Sequence, residues 1–524
     1  MAEAKKGAAP EWAQFPQDLI SVQCLSKEYK YLNDENVRRE MGQEVRAKFL
    51  EEAAKSGMFD MEGGAVLIKG GTTAMANLYD TDVEIAPFRQ ESFFQYLFGI
   101  CEPDCYGVIF LGTKESVLFL PVLDEATFRW NGPPHTVDHY KTKYGLSAAC
   151  SVETLCEKMA ERKVKTVYTL KGVNTDSGLS TALEVDIASL VKSQKSSHTF
   201  QQDDKSLHPV LAECRVIKTP KEIDYMRACC RVSSQAHTFV MRHIKPGMSE
   251  LQLESMFKAF CGVYGGARHM AYTCICASGP HGAILHYGHA GRPNDRITKY
   301  GDLLVLDMGG EFHGYCTDIT SSYPINGKFT KDQASVHKAV QAAQQAVFDN
   351  LKPGTNWQEM HRLAEKTILK HLLEMEILKD ATVEELMKVD MAAVFMPHGL
   401  GHFIGLDTHD VGGYPVSGPK RDMALGVRWL RTQRVLKAGM VLTVEPGLYF
   451  NEMWIKQMLA KDEAKAKFVN QDVLKRFINM GGVRLEDDVV ITETGYENMT
   501  ILPKTIGEYE SIVGKYTPKC SPCE

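Results

Sequence analysis

A chain of 524 residues is too long for one compact core, so two or three domains are expected. Hydrophobic residues make up 44% and charged residues 24%, a globular balance that excludes wholesale disorder. The formal net charge of -6 lacks the basic excess that non-specific nucleic-acid binding needs, so nucleic acid is excluded as the expected partner.

At the N-terminus, Lys5 and Lys6 precede no apolar stretch, which argues against a signal peptide. NVRREMGQEVRAKFLEEAAKSG, from Asn36, reads as a helix, and SVLFLPVL (from Ser116) and VKTVYTL (from Val164) read as buried strands. These make an N-terminal α/β domain over 1–205 in which no chemical motif stands out. VLFLPVL is apolar but short and bounded by charges, so no membrane span is expected. The polar stretch from Ser193 to Ser206 reads as an exposed connection, placing the boundary between about 195 and 215. Next, Thr219 is a helix N-cap, with Pro220 in the first turn and Glu222 closing a capping box. The fourteen cysteines are scattered; Cys229 and Cys230 are adjacent, and Cys274 and Cys276 are two apart, spacings that suit reduced thiols in the cytoplasm better than disulfides.

The second domain, over 206–508, carries an internal echo. A helix leads to Lys245-Pro246-Gly247 and a second helix, and about a hundred residues later another helix leads to Lys352-Pro353-Gly354 and a further one. Each unit is followed by an apolar strand holding an acid, GDLLVLDMGG and then AGMVLTVEPG. The pattern predicts two half-domains around a pseudo-two-fold axis, with their acids meeting at the centre. Residues 509–524 are left as a tail, and its Cys520-Ser521-Pro522-Cys523 reads as an exposed end.

Asp307 lies in LLVLDMGG, a strand of the kind buried on both faces, where an ionised carboxylate is costly unless paired or coordinated. HGYCTDITSSYP reads as the returning antiparallel strand, with Asp318 in it, so the two acids can face one side of the sheet. Glu445 ends the run MVLTVEPG, and GGVRLEDDVVI repeats the situation. Strand alternation puts Glu486 and Asp488 on one face and does not choose between them. Histidines cluster at His286 and His289, at His398 and His402, and at His409. In HGLGHFIG, Gly399 and Gly401 argue for a loop that allows close backbone approach, not a helix. One imidazole with four carboxylates makes a hard, oxygen-rich set that suits Mn2+, Co2+ or Fe2+ better than structural zinc. Four carboxylates overcharge one ion and balance two, so two divalent metal ions are expected.

In their order, DMGG, TDIT, HGLGHFIG, TVEPG and RLEDD resemble the motifs of the pita-bread metallopeptidases. YTCIC, LHYGHAG, FMPHGLGHFIGLDTHDVGGYP, LRTQRVLKAGMVLTVEPGLYF and the N-terminal FRQESFFQYLFGICEPDCYG narrow the resemblance to the eukaryotic prolidases, over nearly the whole chain. The resemblance implies a pita-bread catalytic domain whose metal ligands are Asp307, Asp318, His402, Glu445 and Glu486, with Asp318 and Glu486 bridging the two ions and manganese the first choice. It implies hydrolysis of Xaa-Pro dipeptides with a free C-terminal proline by a hydroxide bridging those ions. It further implies a homodimer in which the N-terminal domain completes the partner's site. Tyr96 stands where the family places a tryptophan at that substrate edge, and Pro280 and His281 depart from the family pattern after YTCIC.

With that frame, Glu445 is expected to shuttle the proton from water to the proline nitrogen and His398 to assist as a relay. Arg431 would hold the proline carboxylate in a charge-assisted clamp, with His286, His409 and Tyr272 lining the same end. Arg484 would orient Glu486. Two alternatives stay open at this point: an aminopeptidase acting on longer peptides with proline second, and a binding module. Retention of all five ligand positions weighs against the latter.

Overall fold

The computed structural model of the chain describes residues 25–73, 83, 86–123, 125–181 and 183–515; Cys520 and Cys523 lie outside these. The described cysteines are all free thiols, in keeping with their spacing. Among the described residues, no helix is long and apolar enough to cross a membrane.

The N-terminal part is a six-stranded sheet. Its strands are β1 (Gly64–Lys69), β2 (Tyr106–Phe110), β3 (Glu115–Leu120), β4 (Ala148–Ser151), β5 (Thr166–Thr169) and β6 (Gln201–Asp203), in the order β4-β3-β2-β1-β5-β6. Strand alternation sends Val66, Ile68, Ile109 and Leu118 to one face, where they pack with Phe49 and Phe94. Ala65, Leu67, Val108, Phe110, Val117 and Phe119 go to the other face, against Leu155, Met159 and Ile187. Both faces are therefore covered, which is why these strands read as apolar runs without alternation. The long helix Glu35–Ser56 starts at Asp34, whose side chain accepts from the Asn36 N–H, and stops at Gly57, with φ 67°.

Thr219 caps the helix Pro220–His243, and the capping box with Glu222 is present as read from the sequence. The two units of the echo then superimpose in kind. Helix Pro220–His243, a turn at Gly247 (φ 94°) and helix Glu250–Gly265 correspond to helix Lys331–Phe348, a turn at Gly354 (φ 89°) and helix Trp357–Glu374. An added Cβ would meet nothing within 4 Å at either glycine, so it is the left-handed backbone and not space that selects glycine there. Both turn N–H groups reach across to a following segment: Gly247 to the Thr298 carbonyl at 3.0 Å and Gly354 to the Leu436 carbonyl at 2.8 Å.

Eleven further strands follow: β7 (His269–Met270), β8 (Ile275–Ser278), β9 (Leu303–Asp307), β10 (Gly310–Phe312), β11 (Tyr315–Cys316), β12 (Thr320–Pro324), β13 (Val441–Val444), β14 (Gly447–Tyr449), β15 (Gly482–Arg484), β16 (Asp487–Ile491) and β17 (Tyr496–Asn498). The first half-domain contributes β12-β9-β8 and the second β13-β16-β17. They meet where Thr320 and Glu486 exchange backbone hydrogen bonds of 3.4 and 3.1 Å, so the ends of the acid-bearing strands share one junction. This is an α/β domain followed by a pita-bread domain with pseudo-two-fold repeat, as the pattern predicts. Beyond 508 the chain does not at once become a loose tail: helix Ile506–Ile512 is capped by Thr505 and Glu508 and buries Tyr509 and Ile512 in the core. Those two apolar side chains hold it down.

Candidate metal centre and substrate cavity

Asp307 closes β9, the central strand of its sheet, with Ile275 paired on one side and Thr320 on the other. The residue is 7% exposed, the burial that made its carboxylate costly on sequence grounds. Two donors hold it: the Tyr272 hydroxyl at Oδ1 and the Arg484 guanidinium at Oδ2. Arg484, expected from the sequence to orient Glu486, thus has Asp307 as its nearer carboxylate; its Nε stands 3.9 Å from Glu486 and donates to Thr320 Oγ1. Arg484 ends β15 beside β9, and that geometry, invisible to local spacing, decides its partner.

Asp318 is not inside a continuous strand. It lies in the break between β11 and β12, where its N–H leaves the ladder and donates to Asp488 Oδ2 at 3.1 Å. That bond swings the Asp318 carboxylate to the Tyr272 hydroxyl (2.6 Å) and toward His402 Nε2 (3.3 Å). Glu486 accepts from Thr320 Oγ1 at 2.6 Å. Both members of the pair left open by alternation are buried, but Glu486 lines the cavity and Asp488 stands behind Asp318.

His402 comes from HGLGHFIG, a loop laid against β13. A Cβ on Gly401 would fall 2.0 Å from the Thr443 carbonyl oxygen, so only glycine permits this approach. His402 Nδ1 lies 3.0 Å from the Phe403 carbonyl. A carbonyl only accepts, so the proton is on Nδ1 and the Nε2 lone pair faces Asp318 and, at 3.5 Å, Glu445 Oε1.

This donor set fits divalent cations. Ligand atoms of Asp318, His402 and Glu486 lie within 4.8 Å of one another, and Asp307 and Glu445 border them. One Tyr272 hydroxyl, with one proton, contacts two carboxylates. Burial and then neighbouring carboxylates push Asp318 and Glu486 well above the ordinary range, and burial foremost pushes Glu445 up to about 7. A cluster of carboxylates with a deprotonated imidazole nitrogen turned into it is short of positive charge, which divalent cations supply.

The cluster lines a cavity of about 1160 Å³, together with Tyr272, His286, His398, His409 and Arg431. Burial, then Arg484, lowers the His286 pKa. Burial pushes His398 down to about 3; its Nδ1 contacts the Gly399 carbonyl at 2.8 Å, leaving a buried Nε2 with no partner. Tyr96 is not part of this cavity. It is 3% exposed, packed in the core with its hydroxyl donating to the Cys214 carbonyl at 2.9 Å, so it offers no edge to a partner's substrate. The ring fills space between helices, and burial of its hydroxyl is satisfied internally. His281 does not line the cavity either; its ring lies tilted against Tyr287, with centroids 4.6 Å apart.

Sequence reasoning missed one contributor from the N-terminal domain. Asp176, in the turn GVNTDSG, pairs with Arg431 Nη1 and lies 3.4 Å from His409 Nδ1. Its signal was only a turn-forming polar run with a charged residue at the tip.

The fold and the buried carboxylate–imidazole cluster are those of a metallopeptidase. The chain belongs to metallopeptidase family M24, whose model matches residues 224–493, and residues 43–168 match the aminopeptidase P N-terminal domain. It is 45% identical to the Xaa-Pro dipeptidase of Homo sapiens over 88% of this chain and 91% of that one, and 45% identical to that of Rattus norvegicus over 89% and 92%. Among solved structures it is similar to zinc-substituted Escherichia coli aminopeptidase P in complex with product, with TM-score 0.71 and 30% identity over 90% of this chain and 98% of that one.

Proposed function

We propose that this enzyme hydrolyses Xaa-Pro dipeptides using two divalent ions, manganese first, held by Asp307, Asp318, His402, Glu445 and Glu486. The observation that carries this reading is the lining of the cavity: buried carboxylates with one free imidazole nitrogen, and Arg431 in the same lining as a cation for a substrate carboxylate. The similarity to Xaa-Pro dipeptidases supports the same substrate class. Once bound, the ions would acidify water and polarise the scissile carbonyl.

The chain's own residues do the rest. Glu445 Oε1 accepts from Thr443 Oγ1 at 3.2 Å, which leaves Oε2 to take the proton of the attacking water and hand it to the proline nitrogen. That nitrogen carries no N–H in the substrate and leaves only after it is protonated. Tyr272 and Arg484 fix the Asp307 carboxylate, and the Phe403 carbonyl fixes the His402 tautomer, so the ligand atoms are oriented before any ion arrives. Arg431 binds the proline carboxylate. His398, neutral through burial, offers its unpartnered Nε2 as an acceptor beside the reacting bond.

The test is hydrolysis of Gly-Pro and Gly-Pro-Ala by metal-stripped protein, with and without added Mn2+. Restoration of Gly-Pro cleavage alone is expected. Cleavage of the tripeptide as well would make the enzyme an aminopeptidase, and cleavage of neither would overturn the reading.

A further inference from the structure

We infer that Asp176 is a specificity-determining residue: it pairs with Arg431 and yields that arginine only to a ligand bringing a carboxylate of its own. The inference rests on the dipeptidase reading and adds to it the device that makes the site demand a free C-terminus.

Asp176 is 255 residues from Arg431 in sequence and belongs to the other domain. It sits at the tip of a turn that is itself well built. The Asn174 side chain accepts from the Asp176 and Ser177 N–H groups at 2.8 and 3.1 Å, and Val173 bridges Ser180. Gly178, at φ 72°, donates to the Asn174 carbonyl at 2.8 Å. The turn reaches over the cavity so that Thr175 and Asp176 line it. One Asp176 oxygen, Oδ2, meets Arg431 Nη1 and His409 Nδ1; the other, Oδ1, stands 4.0 Å from Arg421 Nη2. The Arg421 group also donates to the Thr175 carbonyl at 3.3 Å.

The chemistry of exchange follows from charge. The Asp176 side chain is 18% exposed, so separating it from Arg431 leaves two half-desolvated charges. A peptide carbonyl or terminal amide offers Arg431 only a neutral acceptor, which does not replace the ion pair that is lost. A carboxylate replaces it like for like, and the released Asp176 has a second cation beside it in Arg421. Burial alone would raise the Asp176 pKa, but His409 and Arg431 outweigh it and hold the group down to about 2, so the competitor is charged at every pH at which the enzyme would work.

The experiment compares Gly-Pro with its neutral C-terminal amide, glycyl-prolinamide, on metal-loaded wild type, Asp176→Asn and Asp176→Glu. In Asp176→Asn, kcat/KM for the amide is expected to rise about tenfold and KM for Gly-Pro to fall, since an exchange of about 1.4 kcal/mol is a factor of ten. Asp176→Glu keeps the charge and is expected to keep the preference for the free acid. Calorimetric binding of the same two ligands to metal-stripped wild type and Asp176→Asn reads the same ratio without turnover. It therefore decides the inference even if wild type cleaves neither ligand, an outcome that would instead sink the dipeptidase reading. A rise in KM for Gly-Pro with no gain on the amide would overturn the inference and make Asp176 a support that positions Arg431. Unchanged ratios in both assays would overturn it too, leaving only an interdomain ion pair.

Discussion

Two groups of charges in the cavity lining are balanced in opposite ways. In the first group, Asp318, Glu486 and Glu445 crowd together with cations too few to balance them, and their carboxyl groups are pushed upward. In the second group, Arg431, Arg421 and His409 are already met by an anion of the same chain, Asp176, whose pKa is pulled down. A cluster rich in carboxylates favours cations; one already paired within the chain has to exchange partners. The first arrangement favours tight, lasting occupation, and the second favours a ligand that comes and goes.

Removing a central acid should break the first group outright. Asp318→Asn is expected to lower kcat/KM for Gly-Pro by more than the roughly hundredfold that losing a ligand's outer partner costs, with fewer than two metals per chain by elemental analysis. Full metal content with wild-type turnover would remove Asp318 from the ligand set. Arg431→Ala acts in the second group. It is expected to raise KM for Gly-Pro by about tenfold to a hundredfold, the loss of one charged hydrogen-bonded contact, while metal content stays at the wild-type value. Equal loss of metal and turnover would show that the two groups are not separable.

The carboxylate-rich group also predicts a pH dependence of stability. Glu445 moves from an ordinary 4.5 to about 7, mainly through burial, so between those values the folded, metal-free protein binds more protons than the unfolded chain. Stability is then greatest below the unfolded value and falls as pH rises through about 7. Metal-stripped protein should lose on the order of a few °C in Tm between pH 5 and pH 7.5, and Mn2+ should remove that slope. The same slope with and without metal would mean that the carboxylates are neutralised by something other than an ion.

What the sequence made legible divides along the same line. Signals carried by neighbours in the chain could be read directly: the capping box of Thr219 and Glu222, the paired Pro-Gly turns, and acids stranded in apolar runs. Each of these is a local conflict or a local bond, and each has its physical cause within a few residues. Contacts made by folding could not be read. Arg484 finds Asp307 across 177 residues and Asp176 finds Arg431 across 255, and no spacing rule links them. Asp318 was legible as an acid but not as a strand break, because the bond that pulls its N–H out of the ladder comes from Asp488, 170 residues on. Once Asp488 is committed to that N–H, Glu486 is the acid of the pair that faces the cavity.

Tyr96 gives the smallest expected effect and the cleanest separation between packing and site. An aromatic at this position reads, by resemblance, as a substrate edge, yet here its ring is in the core and its hydroxyl is spent on the Cys214 carbonyl. Tyr96→Phe removes that one hydrogen bond and leaves the carbonyl buried, which should cost about 1 kcal/mol of stability in denaturant unfolding. KM for Gly-Pro should not move, because the ring does not line the cavity. A shift in KM with unchanged stability would return Tyr96 to the substrate edge, and would mean that the aromatic reaches a site the single chain does not display.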